Sequence, residues 1–295
     1  MIAFRIALVL HLVGTLGTCL GQHAKPSSSL GPGLEARDAQ GETKLIRAAK
    51  AGRLASVKAL IAAGANVNAR AKDGTTALIE AARSWAFDCT TTLIAAHADV
   101  NAMTSNGYTA LMLAAENNID PNVNALIAAG ADVNLKRRPN PRLAARSAES
   151  RSRNGIPSAY DGGLKVDIKN TNGTTALMLA AYADHPICVK ALIAAHANLN
   201  ARDDDGDTAL MFATILQRGP WALKKTKTGA QKIMMLNTAC LEPLLAAGAD
   251  VNAKDKDGNT LLMRAARYWR SAVIEAIITP PNKRNAHLLP PGIQS

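Results

Sequence analysis

Cysteine thiols are the groups in this 295-residue chain best suited to chemistry, because a thiolate can attack a substrate, bind a metal or form a disulfide. Cys89, Cys188 and Cys240 each lie 12 residues before an asparagine, and each of these asparagines ends the same short motif. Their equivalent placement predicts three buried, free thiols on one face of a recurring helix. A redox or metal role is the alternative interpretation.

Histidines and a run of aspartates could bind a cation. His97 and His196 stand where other copies of that motif have glycine, so we predict that they end a helix in its place. The run Asp203–Gly206 resembles the start of a calcium loop but lacks the glutamate that closes an EF-hand, and it is typical of a turn. The sequence holds no nucleophile elbow, phosphate-binding loop, zinc-protease helix or paired-cysteine motif. It therefore predicts no catalytic residue, no metal and no cofactor.

The cysteines, histidines and aspartates named above lie within a sequence pattern that repeats every 33 residues. A glycine followed closely by threonine and leucine recurs at Gly41, Gly74, Gly107, Gly173, Gly206 and Gly258. A second motif follows most of them and ends at Asn68, Asn101, Asn134, Asn200 and Asn252. Asp-Gly or Asn-Gly favours a tight turn with positive φ, and the threonine is placed to cap a helix. The glycine that opens the second motif is placed to close a second helix.

Turn, helix and helix over 33 residues resembles the ankyrin repeat, and the resemblance covers residues 38–279. It implies an all-α fold: an ankyrin-repeat solenoid of paired antiparallel helices with β-hairpin or turn connections. The Thr-Ala-Leu-Met version found here resembles bacterial ankyrin proteins. It lacks the family's usual histidine, whose side chain ties neighbouring turns together. We expect core methionines in its place: Met112, Met178, Met211 and Met263.

The periodicity predicts seven units, at 38–70, 71–103, 104–136, 137–169, 170–202, 203–254 and 255–279. The fourth unit lacks the usual helix pattern, but Gly107 and Gly173 are 66 residues apart, which is two periods. That preserved phase favours an eroded repeat over an insertion. The sixth unit is 19 residues longer than the others, which predicts an insertion near 217–235 between its helices. The apolar last helix needs cover from a partner or from the tail, 280–295, which is predicted to be disordered.

Residues 1–24 have the anatomy of a secretory signal peptide, with Arg5, about ten mostly apolar residues and then small residues. The apolar run is shorter than the about 20 residues of a membrane-spanning helix. This predicts a secreted or periplasmic protein in which a flexible linker, 25–37, precedes the repeats. Two alternatives stay open. One is a lipoprotein, because Leu16–Cys19 loosely resembles a lipidation motif, and the other is an uncleaved membrane anchor.

Composition excludes two classes of protein, because 48% apolar residues is too many for a wholly disordered chain and four cysteines are too few for a disulfide scaffold. The net charge of +11 resides in two segments, 135–165 and 217–236, since the rest of the chain is neutral. These segments predict a basic patch for an acidic protein, anionic lipid, glycan or nucleic acid. It comprises Arg137, Arg138, Arg142, Arg146, Arg151, Arg153, Lys224, Lys225 and Lys227. Solvated loops are the alternative, and sparse aromatic residues argue against nucleic acid.

The resemblance also implies a binding surface, since ankyrin proteins bind partners on hairpin tips and inner helices that form a concave face. The partner-binding residues carried over by position are Lys50, Arg70, Lys72, Arg83, Trp85, Tyr108, Tyr182, Arg202, Lys254, Arg267, Tyr268 and Trp269. Trp85 and Trp269 stand out because their position normally holds a small residue such as Gly52. Exposed aromatic residues beside arginine are typical binding anchors, and packing under the loop is the alternative.

These features predict a monomeric, non-catalytic scaffold that binds another protein, with the basic segments steering an acidic partner. An enzyme is the class that the sequence supports least. Two alternatives remain, an envelope- or membrane-associated adaptor held by its N-terminus or by anionic lipid, and a secreted effector directed at a host.

Overall fold

The computed structural model describes residues 33–137, 172–214 and 239–267, together with Ile274 and the backbone of two strands at 222–226 and 229–233. The predicted signal peptide, 1–24, and tail, 280–295, lie outside the described residues.

Each described unit contains a turn and two short helices. The first helices are α1 (Lys44–Lys50), α3 (Ala77–Arg83), α5 (Ala110–Glu116), α7 (Ala176–Tyr182), α9 (Ala209–Phe212) and α11 (Leu261–Arg267). The second helices are α2 (Leu54–Ala62), α4 (Phe87–Ala95), α6 (Asp120–Ala128), α8 (Pro186–Ala194) and α10 (Leu241–Ala246). First helices pack on first helices from α1 to α9, and second helices on second helices from α2 to α10. The predicted all-α solenoid is confirmed.

Threonine caps explain why such short helices begin where they do. The Thr76 hydroxyl oxygen accepts a hydrogen bond from the Ile79 N–H at 3.3 Å, which satisfies one of the donors that a helix N-terminus leaves open. The same bond recurs at Thr43, Thr109, Thr175, Thr208 and Thr260. The threonine of the repeat is therefore a helix start signal at each first helix.

Left-handed residues end the second helices. Gly64 and Gly130 have φ of 84° and 82°, and His97 and His196 take up the same conformation with φ of 61° and 60°. The prediction that these histidines replace a capping glycine is confirmed. Each histidine carries a strain of about 1 kcal/mol that glycine avoids.

The core consists mainly of alanine and leucine, whose small side chains let successive layers approach closely. Met112, Met178 and Met211 are buried in it, as predicted. Met263 is 57% exposed, so the prediction that it fills the core is wrong. The reason is its position on α11, the last first helix of the described residues, because no described unit follows it to cover that side.

The repeat array begins earlier than predicted. Glu35 occupies the position that Asn68 holds one period later, and its carboxylate accepts the Asn66 N–H at 2.8 Å. Leu34 packs against the core, and the Arg37 guanidinium donates to the Arg70 carbonyl at 2.6 Å. The predicted flexible linker, 25–37, is therefore wrong for residues 33–37, because these residues cover the first unit as the end of a preceding unit would.

A ladder of asparagine side chains connects successive units and reveals their true order. Asn68 Oδ1 accepts the Asp99 N–H at 2.7 Å and Asn101 Oδ1 accepts the Asp132 N–H at 2.8 Å, each across 31 residues. Asn134 Oδ1 accepts the Asn198 N–H at 2.7 Å across 64 residues, which is 33 more. Helix α5 likewise packs directly on α7. The third and fifth units are therefore direct neighbours, and the predicted fourth unit, 137–169, lies outside the described residues except for Arg137.

The turn at this junction shows where the extra residues enter. The Arg137 N–H donates to the Thr174 carbonyl at 2.8 Å and Gly173 N–H donates to the Arg137 carbonyl at 2.9 Å. Ala71, Gly74 and Thr75 make the same pair of bonds in an ordinary turn, where only two residues separate the first residue from the glycine. Residues 138–171 therefore enter the chain within this one turn, and they lie outside the described residues. The separation from Arg137 to Gly173 exceeds that of an ordinary turn by one period, so the sequence phase is the one that an eroded repeat also gives.

The sixth unit contains a second insertion, between its two helices. Asn200 Oδ1 accepts the Asp250 N–H at 2.8 Å across 50 residues, 19 more than at an ordinary junction. Two antiparallel strands, β1 (Ala222–Thr226) and β2 (Gly229–Ile233), form a hairpin within it, with Ala222 opposite Ile233. The hairpin is connected to the end of the solenoid at which the first helices stop.

Candidate protein-binding surface

The cationic residues at the base of the hairpins are exposed, but they also connect one unit to the next. The Arg70 guanidinium donates to the Met103 carbonyl, one period away, and Lys136 Nζ donates to the Arg202 carbonyl at 2.7 Å. Arg202 Nε donates within its own turn to the Gly206 carbonyl at 3.2 Å, and Lys254 pairs by backbone with Thr260. These cations therefore present charge to solvent while some of their donors hold the turns in register.

The cations nearer the first helices are exposed as well. Lys72 Nζ donates to the Ala39 carbonyl of the preceding turn at 2.9 Å. Lys50 Nζ lies 2.8 Å from Glu42 Oε1, and this hydrogen bond raises the pKa of Lys50. Arg83 NH2 lies 2.6 Å from the buried carboxylate of Glu80. Consecutive first helices thus end in an exposed cation at Lys50 and at Arg83.

Tyr108 and Arg137 form one packed pair rather than two separate contact residues. The Arg137 guanidinium lies over the Tyr108 ring at 4.2 Å from its centroid, and its Nε donates to the Asn106 carbonyl at 3.0 Å. Arg137 is only 3% exposed. The prediction that Arg137 belongs to an exposed basic patch is wrong, because Arg137 is buried and its backbone and side chain hold the turn formed with Gly173 and Thr174.

Tyr182 lies at the end of α7 and is half-buried. Its ring meets Phe212 edge to face, with centroids 6.4 Å apart and planes at 84°. This geometry is favourable for aromatic rings and connects the fifth unit to the sixth. The Tyr182 ring therefore packs in part between the fifth and sixth units.

Trp85 is the most exposed of the predicted anchors, at 73%. The equivalent residues Gly52, Asn118 and Asp184 have φ of 64°, 57° and 53°, which turns the chain sharply after the first helix. Tryptophan cannot adopt that left-handed conformation without strain. The preceding residue, Ser84, is extended instead, with φ −111° and ψ 167°. The altered loop projects the indole into solvent, so Trp85 does not pack under the loop.

A buried asparagine from the next unit supports this altered loop. In units whose loop contains a left-handed residue, the next residue donates its N–H to a carbonyl near the end of the first helix. His185, which follows Asp184, donates to the Ala180 carbonyl at 3.0 Å in this way. In the second unit the Asn122 amide donates to the equivalent carbonyl of Ala81 at 3.4 Å, and to Ala82 and Ser84 at 3.1 and 3.0 Å. Asn122 is fully buried and occupies the position held elsewhere by the three cysteines. Sequence reasoning assigned it no role, although a buried amide among thiols was the available signal.

We expect Asn122→Ala to lower the free energy of unfolding by about 2 kcal/mol, because three helix-end carbonyls lose a buried donor. Asn122→Cys installs the residue of the other units and keeps most of the volume. We expect it to be nearly as destabilising, since a thiol cannot reach three carbonyls. Urea denaturation followed by circular dichroism measures both. Wild-type stability in Asn122→Cys would contradict the role of the amide.

The remaining predicted contact residues lie beyond the described part. Arg267 is the last residue of α11, and only its backbone is described. Tyr268 and Trp269 lie outside the described residues. The same holds for Arg138, Arg142, Arg146, Arg151, Arg153 and Lys227, whereas Lys224 and Lys225 are placed as backbone in β1.

The thiols are poorly suited to chemistry. Cys89, Cys188 and Cys240 are free and buried, as predicted. Burial raises the pKa of Cys89 and of Cys240, and it raises the pKa of Cys188 to about 11, so the reactive thiolate is scarce. Among the described residues no group of three or more histidine, cysteine or carboxylate side chains could hold a metal ion.

An acidic cluster at the last junction was missed by the sequence reasoning, which treated 203–206 as an ordinary turn. Asp203 is 7% exposed, and its Oδ1 accepts the Asp205 and Asp207 N–H groups at 3.0 and 2.8 Å. Its Oδ2 is buried without a hydrogen-bond partner. Burial, reinforced by the charges of Asp207 and Asp205, raises the pKa of Asp203 to about 7.

The neighbouring carboxylate of this cluster binds the last unit. Arg264 on α11 donates to both oxygens of Asp207, at 2.5 and 3.3 Å. Burial raises the pKa of Asp207 although the arginine opposes it. The pair joins the sixth unit to the seventh, where first-helix packing is sparse.

Comparison with known proteins identifies the repeat. The family described as "Ankyrin repeats (3 copies)" matches residues 45–137 and 147–224, more than half of the chain. The chain is a member of the ankyrin-repeat family. Its units are those of a protein–protein interaction scaffold, and the family is generally non-catalytic.

Three curated proteins are similar to parts of this ankyrin protein. L-asparaginase of Dirofilaria immitis is 27% identical over 47% of this chain and 26% of its own length. Human SH3 and multiple ankyrin repeat domains protein 2 is 28% identical over 42% of this chain and 8% of its own. The E3 ubiquitin-protein ligase KEG of Arabidopsis thaliana is 29% identical over 40% and 9%. The match thus spans less than a tenth of the length of two of these relatives and about a quarter of the third.

Within the described part of the ankyrin protein, every helix is too short or too polar to cross a membrane.

Proposed function

We propose that this ankyrin protein is a non-catalytic scaffold that binds another protein on the face formed by hairpins and first helices, which is the concave face in the family. The observation that carries the proposal is the run of exposed cations on this face, at Lys50, Arg70, Lys72, Arg83, Arg202 and Lys254. Because the third and fifth units are direct neighbours, these cations belong to one uninterrupted stack.

The sign of these charges favours an acidic partner. Opposite charges across an interface speed association and select the partner, and salt weakens their effect. The basic segments 138–165 and 217–236 add to the same attraction at longer range. We propose that the scaffold acts as a monomer, and that the segment 1–24 directs it to the secretory pathway or the periplasm.

Affinity capture with the mature protein, followed by mass spectrometry and by calorimetry with the purified partner, tests the proposal. We expect Lys50→Ala, Arg83→Ala and Lys254→Ala together to weaken binding about tenfold, an effect that shrinks as salt is raised. The matched control removes three exposed cations from the second-helix side, Arg53, Lys58 and Lys190. Equal loss of binding in both variants, or binding indifferent to salt, would overturn the proposed face.

A further inference from the structure

Nearly every layer of the stack places one cation at the base of its hairpin, two residues after the ladder position. We call this row the cation column, and all of its members are exposed: Arg37, Arg70, Lys136, Arg202 and Lys254. Bonds of the ladder join the six described layers in direct succession. The third layer has Met103 at the column position. The column therefore runs along the described stack with a charge missing from one layer.

The side chains of the column are held by the backbone of the stack. The guanidinium groups of Arg37 and Arg202 donate to the glycine carbonyls of their own turns at 2.9 and 3.2 Å. Arg37 also donates to the Arg70 carbonyl in the next layer at 2.6 Å, and Arg70 donates to the Met103 carbonyl. Lys136 Nζ donates to the Arg202 carbonyl at 2.7 Å. The charges are thus positioned at the spacing of packed layers, about 8–10 Å, with further N–H donors left for a carboxylate.

Exposed carboxylates lie on both sides of the column. Asp99 and Asp132 lie four residues before the column position in their layers, and Asp73 and Asp204 follow it at the turns. A ligand with uniform negative charge is repelled by these side chains while the column attracts it. The surface therefore selects a ligand whose negative charges are spaced like the column and separated by neutral groups.

The spacing of the layers matches one regular peptide conformation. A polyproline II segment has three residues per turn and rises about 3.1 Å per residue, so every third side chain returns to one face after about 9.3 Å. Side chains on one face of a β-strand recur at about 6.6 and 13 Å, which misses the layers. An α-helix needs seven residues, about 10.5 Å, and its width of about 10–12 Å would cover the flanking carboxylates.

We propose that the cation column binds an extended acidic segment of a partner protein, in the polyproline II conformation and with a carboxylate at every third residue. One carboxylate then meets one cation per layer, and neutral residues face the flanking aspartates. The inference rests on the proposed protein-binding function and specifies the segment of the partner that is bound. The third layer, at Met103, contributes no ion pair.

Fluorescence anisotropy of the full chain with two synthetic peptides tests the spacing. The first peptide repeats Glu-Pro-Pro six times. The second has the same composition, with glutamate at every second position of its first two thirds. We expect the first to bind about tenfold more tightly at low salt, because only its carboxylates meet a cation in successive layers. Equal affinities, or no binding of the first peptide, would overturn the proposal.

Met103→Arg fills the missing position of the column. We expect it to raise the affinity for the Glu-Pro-Pro peptide about threefold, the effect of one added exposed ion pair. Ala95→Arg is the matched control, because it adds the same charge at an exposed position on the second helix of the same unit. We expect the control to leave the affinity unchanged. Equal gains from the two variants would contradict binding at the column.

Removal of charge from the column gives the opposite change. Arg70→Gln, Lys136→Gln and Arg202→Gln together are expected to weaken binding of the Glu-Pro-Pro peptide about tenfold. Circular dichroism checks that the stack remains folded, and the gain from Met103→Arg needs no such check. An intact triple variant that binds the peptide like the wild type would overturn the proposal.

Further outcomes separate this inference from the proposed function. A captured acidic partner whose affinity depends on salt but not on Met103→Arg would overturn the column and leave the scaffold function standing. Heparin binding that Met103→Arg strengthens, with no change for the peptide, would assign the column to a sulfated glycan instead.

Discussion

Gly206→Ala is expected to lower the free energy of unfolding by about 3 kcal/mol, from left-handed strain and steric overlap together. Gly206 has φ of 78°, and a Cβ there would lie 2.8 Å from the Lys256 N and 3.1 Å from the Asp255 carbonyl carbon. Both atoms are backbone of the next turn, so they cannot rotate away. The Lys256 N–H donates to the Asp205 carbonyl at 2.9 Å, and this bond would have to lengthen. The substitution therefore weakens the junction between the sixth and seventh units.

Gly258→Ala measures the backbone strain of a positive φ without the steric overlap that Gly206→Ala adds to it. Gly258 has the equivalent position in the next turn and φ of 80°, but none of the described residues has an atom within 4 Å of its added Cβ. We expect a loss of about 1 kcal/mol from φ alone. Gly130→Ala, with φ of 82° and open space in a central unit, is a second control. Urea denaturation of the three variants gives the comparison, and equal losses at Gly206 and Gly258 would disprove the close approach of the turns.

The stability contributed by Asp203 is expected to fall as pH rises from 4 to 7. The folded protein holds the proton on this carboxyl up to a pKa of about 7, whereas the unfolded chain releases it near 4. Between these values the folded state binds more protons, so this contribution is complete below pH 4 and lost above pH 7. Burial is the main cause, and the neighbouring charges of Asp207 and Asp205 add to it.

Asp203→Asn isolates the effect. Asparagine keeps the oxygen that accepts the Asp205 and Asp207 N–H groups but cannot ionise. We expect its free energy of unfolding to exceed that of the wild type by about 2–4 kcal/mol at pH 8 and to match it at pH 4. The difference between the two proteins is the quantity to measure, because Asp207, with its raised pKa, and His185, whose pKa burial lowers, also titrate.

Asp38→Asn controls for removal of a carboxylate from the equivalent, more exposed position of the first turn, where Asp38 Oδ1 accepts the Gln40 and Glu42 N–H groups at 3.0 and 2.9 Å. Thermal denaturation between pH 4 and pH 8 provides the data. A difference between wild type and Asp203→Asn that is independent of pH would show that the pKa of Asp203 is the same in the folded and the unfolded protein. Loss of the difference on Arg264→Gln would trace the effect to docking of the last unit, since Arg264 binds Asp207.

Much of the unit could be predicted because it is encoded locally. The Thr76 cap lies three residues from its donor, and the left-handed cap at His97 closes the helix directly before it. Such short-range bonds repeat with the sequence pattern and need no knowledge of neighbours. Trp85 was recognised as a candidate anchor by the same logic, since a small residue is expected at its position.

Interactions between units could not be predicted in the same way. Arg137 looked like one basic residue among many, and only its contacts with Tyr108 and Asn106 reveal a buried structural role. Asn122 looked like an ordinary substitution at a cysteine position, and its role depends on the backbone of the unit before it. In both cases the partner lies about 30 or more residues away and is brought near by stacking alone.

The sequence by itself determined the ankyrin family, the turn–helix–helix unit and the starts and ends of its helices, because these depend on residues within a few positions of one another. Only the tertiary structure decided that the third unit packs on the fifth. An insertion whose excess length is one period leaves the sequence phase unchanged, so phase cannot distinguish it from an eroded repeat. The hydrogen bonds that join Arg137 to Gly173 and Thr174, and Asn198 to Asn134, show which units are neighbours in space. They place the fifth unit directly against the third.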